Sequence, residues 1–210
     1  MDLSSPISSV VPSAHGAVLA VLARTDQPLS GRRVAALTDG RVGQWRVNEV
    51  LGQLAEAGIV LRAHQPPAML HLLNRDHVAA AGIIALAGQR EELFSRMRAH
   101  AAAWNPPPKA LWLFGSAARG DGGPGSDVDV LAVRPDRVGA DDLAWLAQVD
   151  DLSAKVSIWC GNSCEVLELS AAELEQMTSR RERLIEELRA DGVLIAGSSP
   201  RALLRRTVAR

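Results

Sequence analysis

Apolar residues in the first hundred positions recur at helical spacing, in short stretches separated by breakers. From Ala14 to about Thr25, Val18, Leu19, Val21 and Leu22 supply one apolar face, and the stretch TDQP ends the pattern. A second short helix, GRRVAALT, follows Ser30, whose hydroxyl is placed to accept an otherwise unpaired backbone N–H, and Gly40 stops it. A third helix, from about Val42 to Ala57, is expected to turn Trp45, Val47, Val50, Leu51 and Leu54 inward and to leave Arg41, Gln44, Arg46, Asn48 and Gln53 on other faces. Gly58 then stands where a left-handed cap residue is favoured. Two short apolar runs, IVLRAH and MLHLLN, flank QPPA and read as a hairpin.

The pattern from Asp76 to Trp104 predicts a long helix interrupted near Gly82 or Gly88. NPPPK ends it, because consecutive prolines cannot continue a helix and favour extended backbone, and the domain boundary is placed at Asn105–Lys109. Beyond it the period changes. KALWLF reads as a buried strand, DVDVLAV as a second, DDLAWLAQVDDLSAKVSIW as a helix and SCEVLEL as another strand. Ser170 and Glu173 have the spacing of a capping box, and RERLIEELRADGVLIAG predicts a helix, a glycine and a short apolar strand. The expected layout is a disordered N-terminus over 1–12, a helical domain with a hairpin over 13–75, a connecting helix and Pro-rich linker over 76–107, an α/β domain over 108–197 and a basic tail over 198–210.

Composition narrows the class without deciding the function. With 47% hydrophobic and 22% charged residues, the 210-residue chain has the profile of a soluble globular protein. It contains neither an apolar run of membrane-spanning length nor the pattern of a secretion signal, so a cytoplasmic protein is expected. Cys160 and Cys164 are separated by three residues with no second pair, which predicts buried, idle thiols, and the five histidines show no metal-ligand spacing. Net charge is −1. The residues before Asn105 carry 10 Arg against 8 acids, which permits a DNA contact without arguing for one.

The chemistry concentrates where the second half begins. Gly115 follows a strand and would let a phosphate approach the backbone, Ser116 offers a hydroxyl, and the AARG after it can open a helix whose N–H groups attract anions. Asp127 and Asp129 are two apart on a strand and so project from one face. Adjacent carboxylates repel unless a cation intervenes, and a hard divalent ion such as Mg²⁺ both resolves that conflict and bridges phosphates. A phosphate-binding turn beside such a pair implies a nucleoside triphosphate.

The stretch GSAARGDGGPGSDVD, with Gly115, Ser116, Arg119, Gly120, Ser126, Asp127 and Asp129 in order, resembles the signature of minimal nucleotidyltransferases of the DNA polymerase beta superfamily over about residues 108–197. The resemblance implies a small mixed sheet flanked by helices, an NTP gripped by Gly115 and Ser116 with Ser126 nearby, and two Mg²⁺ ions on Asp127 and Asp129. It also implies a third carboxylate on a later strand, for which Glu165 fits better than Glu168. Because many members carry Asp there, Glu165 is either a metal ligand or a general base. Arg119 would face the leaving pyrophosphate or form a surface salt bridge. Residues 13–75 resemble a winged helix-turn-helix domain, implying DNA contacts from Arg41, Gln44, Arg46, Asn48 and Arg62, with His64 also on the wing. Together these imply an α/β (α+β) chain that transfers an NMP, ATP foremost as donor, to a protein, RNA or small-molecule hydroxyl in a regulatory or toxin–antitoxin setting. A toxin or another protein is a possible partner, as is a second copy of the chain. The competing expectation is a non-catalytic DNA-binding regulator or antitoxin whose second domain senses a nucleotide or binds a partner protein.

Overall fold

The structure is a computed structural model and describes residues 1–204. The chain divides at Arg90/Glu91 into two units, with Met1 and Leu3 packing in the second.

The first unit runs α1 (Pro6–Val10), α2 (Ala14–Ala23), β1 (Leu29–Ser30), α3 (Gly31–Leu37), α4 (Gln44–Glu56), β2 (Val60–Gln65), β3 (Ala68–Leu73) and α5 (Ala80–Ala87). Ser30 caps α3 as expected, its hydroxyl accepting the Arg33 N–H at 3.3 Å. On α4, Val47, Val50, Leu51 and Leu54 form one stripe buried against α2 and the hairpin. Trp45 was expected to join them but is 78% exposed. At about 100° per residue it lies on roughly the opposite side of the helix from Val47 and Leu54, so the stripe cannot include it. The hairpin forms, with β2 and β3 in register from Val60↔Leu73 to Gln65↔Ala68, and β1 adds a third antiparallel strand through Leu29↔His71. That two-residue strand is too short to leave an alternating pattern in the sequence.

Residues 1–12 are not disordered. Leu3 and Ile7 are fully buried and Asp2 accepts hydrogen bonds from Ser4 and Ser5, because Leu3, Ile7 and the proline that opens α1 supply enough apolar surface to fix a short segment.

The second unit contains α6 (Gln89–Ala101), β4 (Ala110–Phe114), α7 (Gly115–Arg119), β5 (Val128–Val133), α8 (Leu143–Cys160), β6 (Cys164–Leu169), α9 (Ala171–Arg180), α10 (Arg183–Asp191), β7 (Val193–Gly197) and α11 (Pro200–Leu203). Its mixed sheet has the order β6-β5-β4-β7, with β5 and β6 parallel and the other pairs antiparallel. Alternation along the central strands divides two cores. Leu111, Leu113, Val128, Val130 and Ala132 meet α6 and α8 on one face, and Ala110, Trp112, Leu131 and Val133 meet α9, α10 and α11 on the other. Asp142 caps α8 by accepting the Trp145 N–H, and the Ser170–Glu173 capping box forms. Both cysteines are free and buried, and burial pushes the Cys164 thiol up to about 12, leaving it inert. No helix among the described residues is long and apolar enough to cross a membrane.

The helix expected within 76–107 forms with its interruption at Gly88, and its second half packs within the second unit. Gly88 separates α5 from α6, and α6 sends Leu93, Phe94, Met97 and Ala101 into the second unit's core. The proline run is tied down as well: Gln148 accepts the Asn105 N–H and donates to the Pro106 carbonyl, while the Lys109 N–H donates to Val133. A Pro-rich run signals extended backbone, not freedom, and here that backbone leads directly into β4. The expected basic tail is likewise ordered at its start. Ser198 bonds to the Lys109 carbonyl and accepts the Trp112 indole N–H at 2.7 Å, and Leu204 is buried. The rest of that tail, 205–210, lies outside the described residues.

If α6 is core, Met97→Ala destabilises the second unit by about 2–5 kcal/mol. Urea unfolding measures this; a cost near zero would return the segment to the role of a linker.

Candidate active site

β4 ends at Phe114 in extended backbone, and Gly115 turns the chain into the five-residue helix α7, which Gly120 closes in the left-handed region. Gly115 itself has φ +68, and a Cβ built there would overlap the Asp129 Oδ2. Glycine is required on both counts. The group that closes on Gly115 is thus a carboxylate from the neighbouring strand, and Asp129 faces Phe114 in the antiparallel register.

The glycine run that follows is anchored. A Cβ on buried Gly122 would meet the Ser116 hydroxyl at 3.0 Å, so the run folds over Ser116. The Ser126 hydroxyl accepts the Gly123 N–H at 2.9 Å and its own N–H donates to the Gly123 carbonyl. Buried Asn162, just after α8, donates from Nδ2 to the Ser126 carbonyl at 2.9 Å. Asn162 thereby sets where the chain enters Asp127, a role no local sequence pattern announces.

Asp127 is exposed immediately before β5, and Asp129 is half-buried within it. In the parallel pairing Asp129 stands opposite Glu165, which puts the two side chains on one face. Glu168 lies on the other face and is engaged by Arg134, so Glu165 is the acid that shares Asp129's face. Burial raises the Asp129 carboxyl above the usual carboxylate range, and the charges of Asp127 and Glu165 push it further in the same direction. Glu187 on α10 adds a third negative charge that acts on Asp129. It sits among the charges of an amphipathic helix and carries no sequence signal. Among the described residues, no three His, Cys, Asp or Glu side chains are grouped as a complete metal-ligand set. The donors present are nevertheless carboxylate oxygens crowded at one sheet end, which suits a hard divalent cation.

Arg119 is the nearby cation. Its guanidinium holds Asp121 at 3.0 Å and lies 3.8 Å from Asp191 at the end of α10. Both partners are acids of the same surface, so the residue forms the salt bridge foreseen as one of its two roles.

In the first unit, Gln44, Asn48 and Arg62 line one cleft of about 570 Å³ together with Arg32 and buried His71. Asn48 packs so closely on Gly31 that a Cβ there would overlap its Oδ1. Arg41 and Arg46 are placed elsewhere, paired with Asp2 at 3.4 Å and with Glu49 at 2.7 Å. His64 is exposed on β2.

The Asp129–Gly115 contact is testable by stability alone. Gly115→Ala costs at least about 1 kcal/mol, and replacing Asp129 by Gly in the same chain recovers part of that cost, giving a double-mutant coupling of about 0.5–3 kcal/mol. Additive losses would show that the carboxylate does not press on this glycine.

No curated protein matches the sequence. Among solved structures, a toxin–antitoxin complex with AMP-PNP is similar at 15% identity and a TM-score of 0.35, over 54% of this chain and 80% of that one. A structure described as a candidate nucleotidyltransferase from Sulfolobus solfataricus is similar at 21% identity and a TM-score of 0.28, over 50% of this chain and 85% of that one. Neither likeness is close enough to bear on function. The family model of the nucleotidyltransferase domain matches residues 99–190, from late α6 to the end of α10. That match lies within the second unit and covers the Gly115–Ser116 turn, Asp127, Asp129 and Glu165.

Proposed function

We propose that the second unit transfers a nucleoside monophosphate from a nucleoside triphosphate, ATP foremost, to a hydroxyl of a protein, RNA or small-molecule acceptor. The observation that carries this reading is the set Asp127, Asp129 and Glu165 at adjoining ends of β5 and β6, beside the Gly115–Ser116 turn. Asp127 and Asp129 would hold Mg²⁺, two ions in all, with Glu165 as third ligand or as base. The metal, when bound, neutralises triphosphate charge and lowers the pKa of the attacking hydroxyl. Gly115 and Ser116 would receive the β- and γ-phosphates, with Ser126 holding the loop that covers Ser116. The acceptor oxygen bonds to the α-phosphorus as the bond to the β-phosphate oxygen breaks. Its proton passes to a carboxylate, and pyrophosphate leaves toward Arg119, which releases Asp121 to meet it. Such exposed ion pairs are worth at most about 1 kcal/mol, so this exchange is inexpensive.

The first unit would be a winged helix-turn-helix that binds DNA, which suits a cytoplasmic regulatory or toxin–antitoxin role. Its element order and its β1-β3-β2 sheet support that reading, with α4 and the hairpin sharing the cleft of Gln44, Asn48 and Arg62. Arg41 and Arg46 would contact phosphates after opening their exposed pairs with Asp2 and Glu49. The second reading, a regulator that senses nucleotide without turnover, draws on Arg119's engagement by Asp121 and Asp191.

Labelled ATP, GTP, CTP or UTP incubated with the protein, Mg²⁺ and host lysate separates the two. Transfer predicts a labelled product that EDTA abolishes and that Asp127→Asn or Asp129→Asn reduces at least about 100-fold. Tight nucleotide binding with no product under any condition supports the sensor instead. For DNA, Arg62→Ala is expected to weaken binding to the protein's own promoter and to lower the salt slope by about 1. Absence of binding to any DNA at low salt excludes the winged-helix role.

A further inference from the structure

The second unit contains a cavity of about 370 Å³ that the transfer reaction does not use. It lies under α9, α10 and α11 at the far ends of β4 and β5. Val133, which lines it, is on the same face of β5 as Asp129 but four residues further along, roughly 13 Å at 3.3 Å per residue.

Three cations surround this cavity: Lys109 before β4, Arg181 just past α9, and Arg189 on α10. Lys109 is shared with Asp136 at 2.7 Å, and Arg189 with Glu186 at 2.7 Å and the Leu204 carbonyl at 3.0 Å. Arg181 has no ion pair among the described residues. Its backbone is the second observation. At φ +55 and ψ +46 it occupies the left-handed region, where glycine or asparagine sits without cost and a long side chain is strained by about 1 kcal/mol. An arginine in that place supplies its guanidinium at the expense of an easy helix end. Thr178 and Ser179, in the last turn of α9, add hydroxyls whose hydrogens go to the Leu174 and Glu175 carbonyls, so their oxygens remain as acceptors. Leu174, Val133 and Leu203 give the lining an apolar part. Among the described residues, Glu175 is the one acid in the lining. It opposes a polyanion and would accept a donor group from a ligand.

We propose that this cavity binds a small organic phosphate, its phosphate on Arg181 with Lys109 and Arg189 behind, and its compact apolar body on Leu174 and Val133. A guanidinium matches a phosphate with paired, charge-assisted hydrogen bonds. The volume is at the lower end of small-molecule sites and exceeds what inorganic phosphate fills. Glu175 disfavours a triphosphate, so the site is distinct in preference as well as place from the carboxylate end of β5. The proposal is independent of whether the chain catalyses transfer.

Titration calorimetry on the full chain, in EDTA, tests it with 1-naphthyl phosphate as the probe. One equivalent is expected to bind, at least about ten-fold more tightly than inorganic phosphate or 1-naphthol. Arg181→Gly removes the guanidinium while relieving the backbone, so it should weaken the probe at least about ten-fold with no loss of melting temperature. Asp129→Asn should leave the affinity unchanged. No saturable binding at millimolar probe, equal affinity in Arg181→Gly, or loss of binding in Asp129→Asn would each overturn the assignment. An Arg181 that serves only the end of α9 would show itself by undiminished probe binding in the glycine variant.

Discussion

The carboxylate of Asp129 rests where a side chain on residue 115 would have to be, and much of the second unit follows from that contact. A glycine in the left-handed region lets β4 turn at once into α7, and the tight turn brings Ser116 under the glycine run. The carboxylate cannot withdraw into the core, because Leu131 and Val133 already fill that face of β5. It therefore stays at the strand's end, half-buried beside Asp127 and Glu165, with its proton affinity raised. Steric closeness on one side and like charge on the other hold the site in a state that a cation relieves.

Chemistry and stability consequently share one strand. β5 is buried on both faces, separating the core built by α6 and α8 from the one built by α9, α10 and α11, and its start carries Asp129 with Asp127 just ahead of it. The glycine run gains its shape from the same economy. Asn162 reaches it from the end of α8, and Ser153 ties α8 to β6 by donating to the Cys164 carbonyl at 2.7 Å. The helix that completes a core thus also positions the loop before Asp127 and the strand that bears Glu165.

How much of this was legible depended on whether the determining pattern was local. The strand KALWLF, the Asp127–Asp129 pair, the capping box at Ser170 and the stop at Gly58 are written within a few residues, and each has its counterpart in the structure. The register that sets Glu165 opposite Asp129 joins segments 36 residues apart, and spacing alone left it between two acids. Trp45 was misplaced because its size outweighed its helical phase. The first twelve residues were misread because composition suggested freedom, while buried apolar residues and local hydrogen bonds supplied order. Glu187 and Asn162 are ordinary residues in ordinary stretches until the fold brings them to the site.

The parallel pairing of β5 with β6 gives the third acid a digital setting. A strand cannot shift by a fraction of a residue, and a slip of one would carry Glu165 to the opposite face and bring Cys164 or Val166 beside Asp129. Small distortions in the helices can be absorbed gradually by side chains. The placement of Glu165 has no such intermediate values, so the short Gly161–Ser163 connection that feeds β6 acts as a selector with one working position.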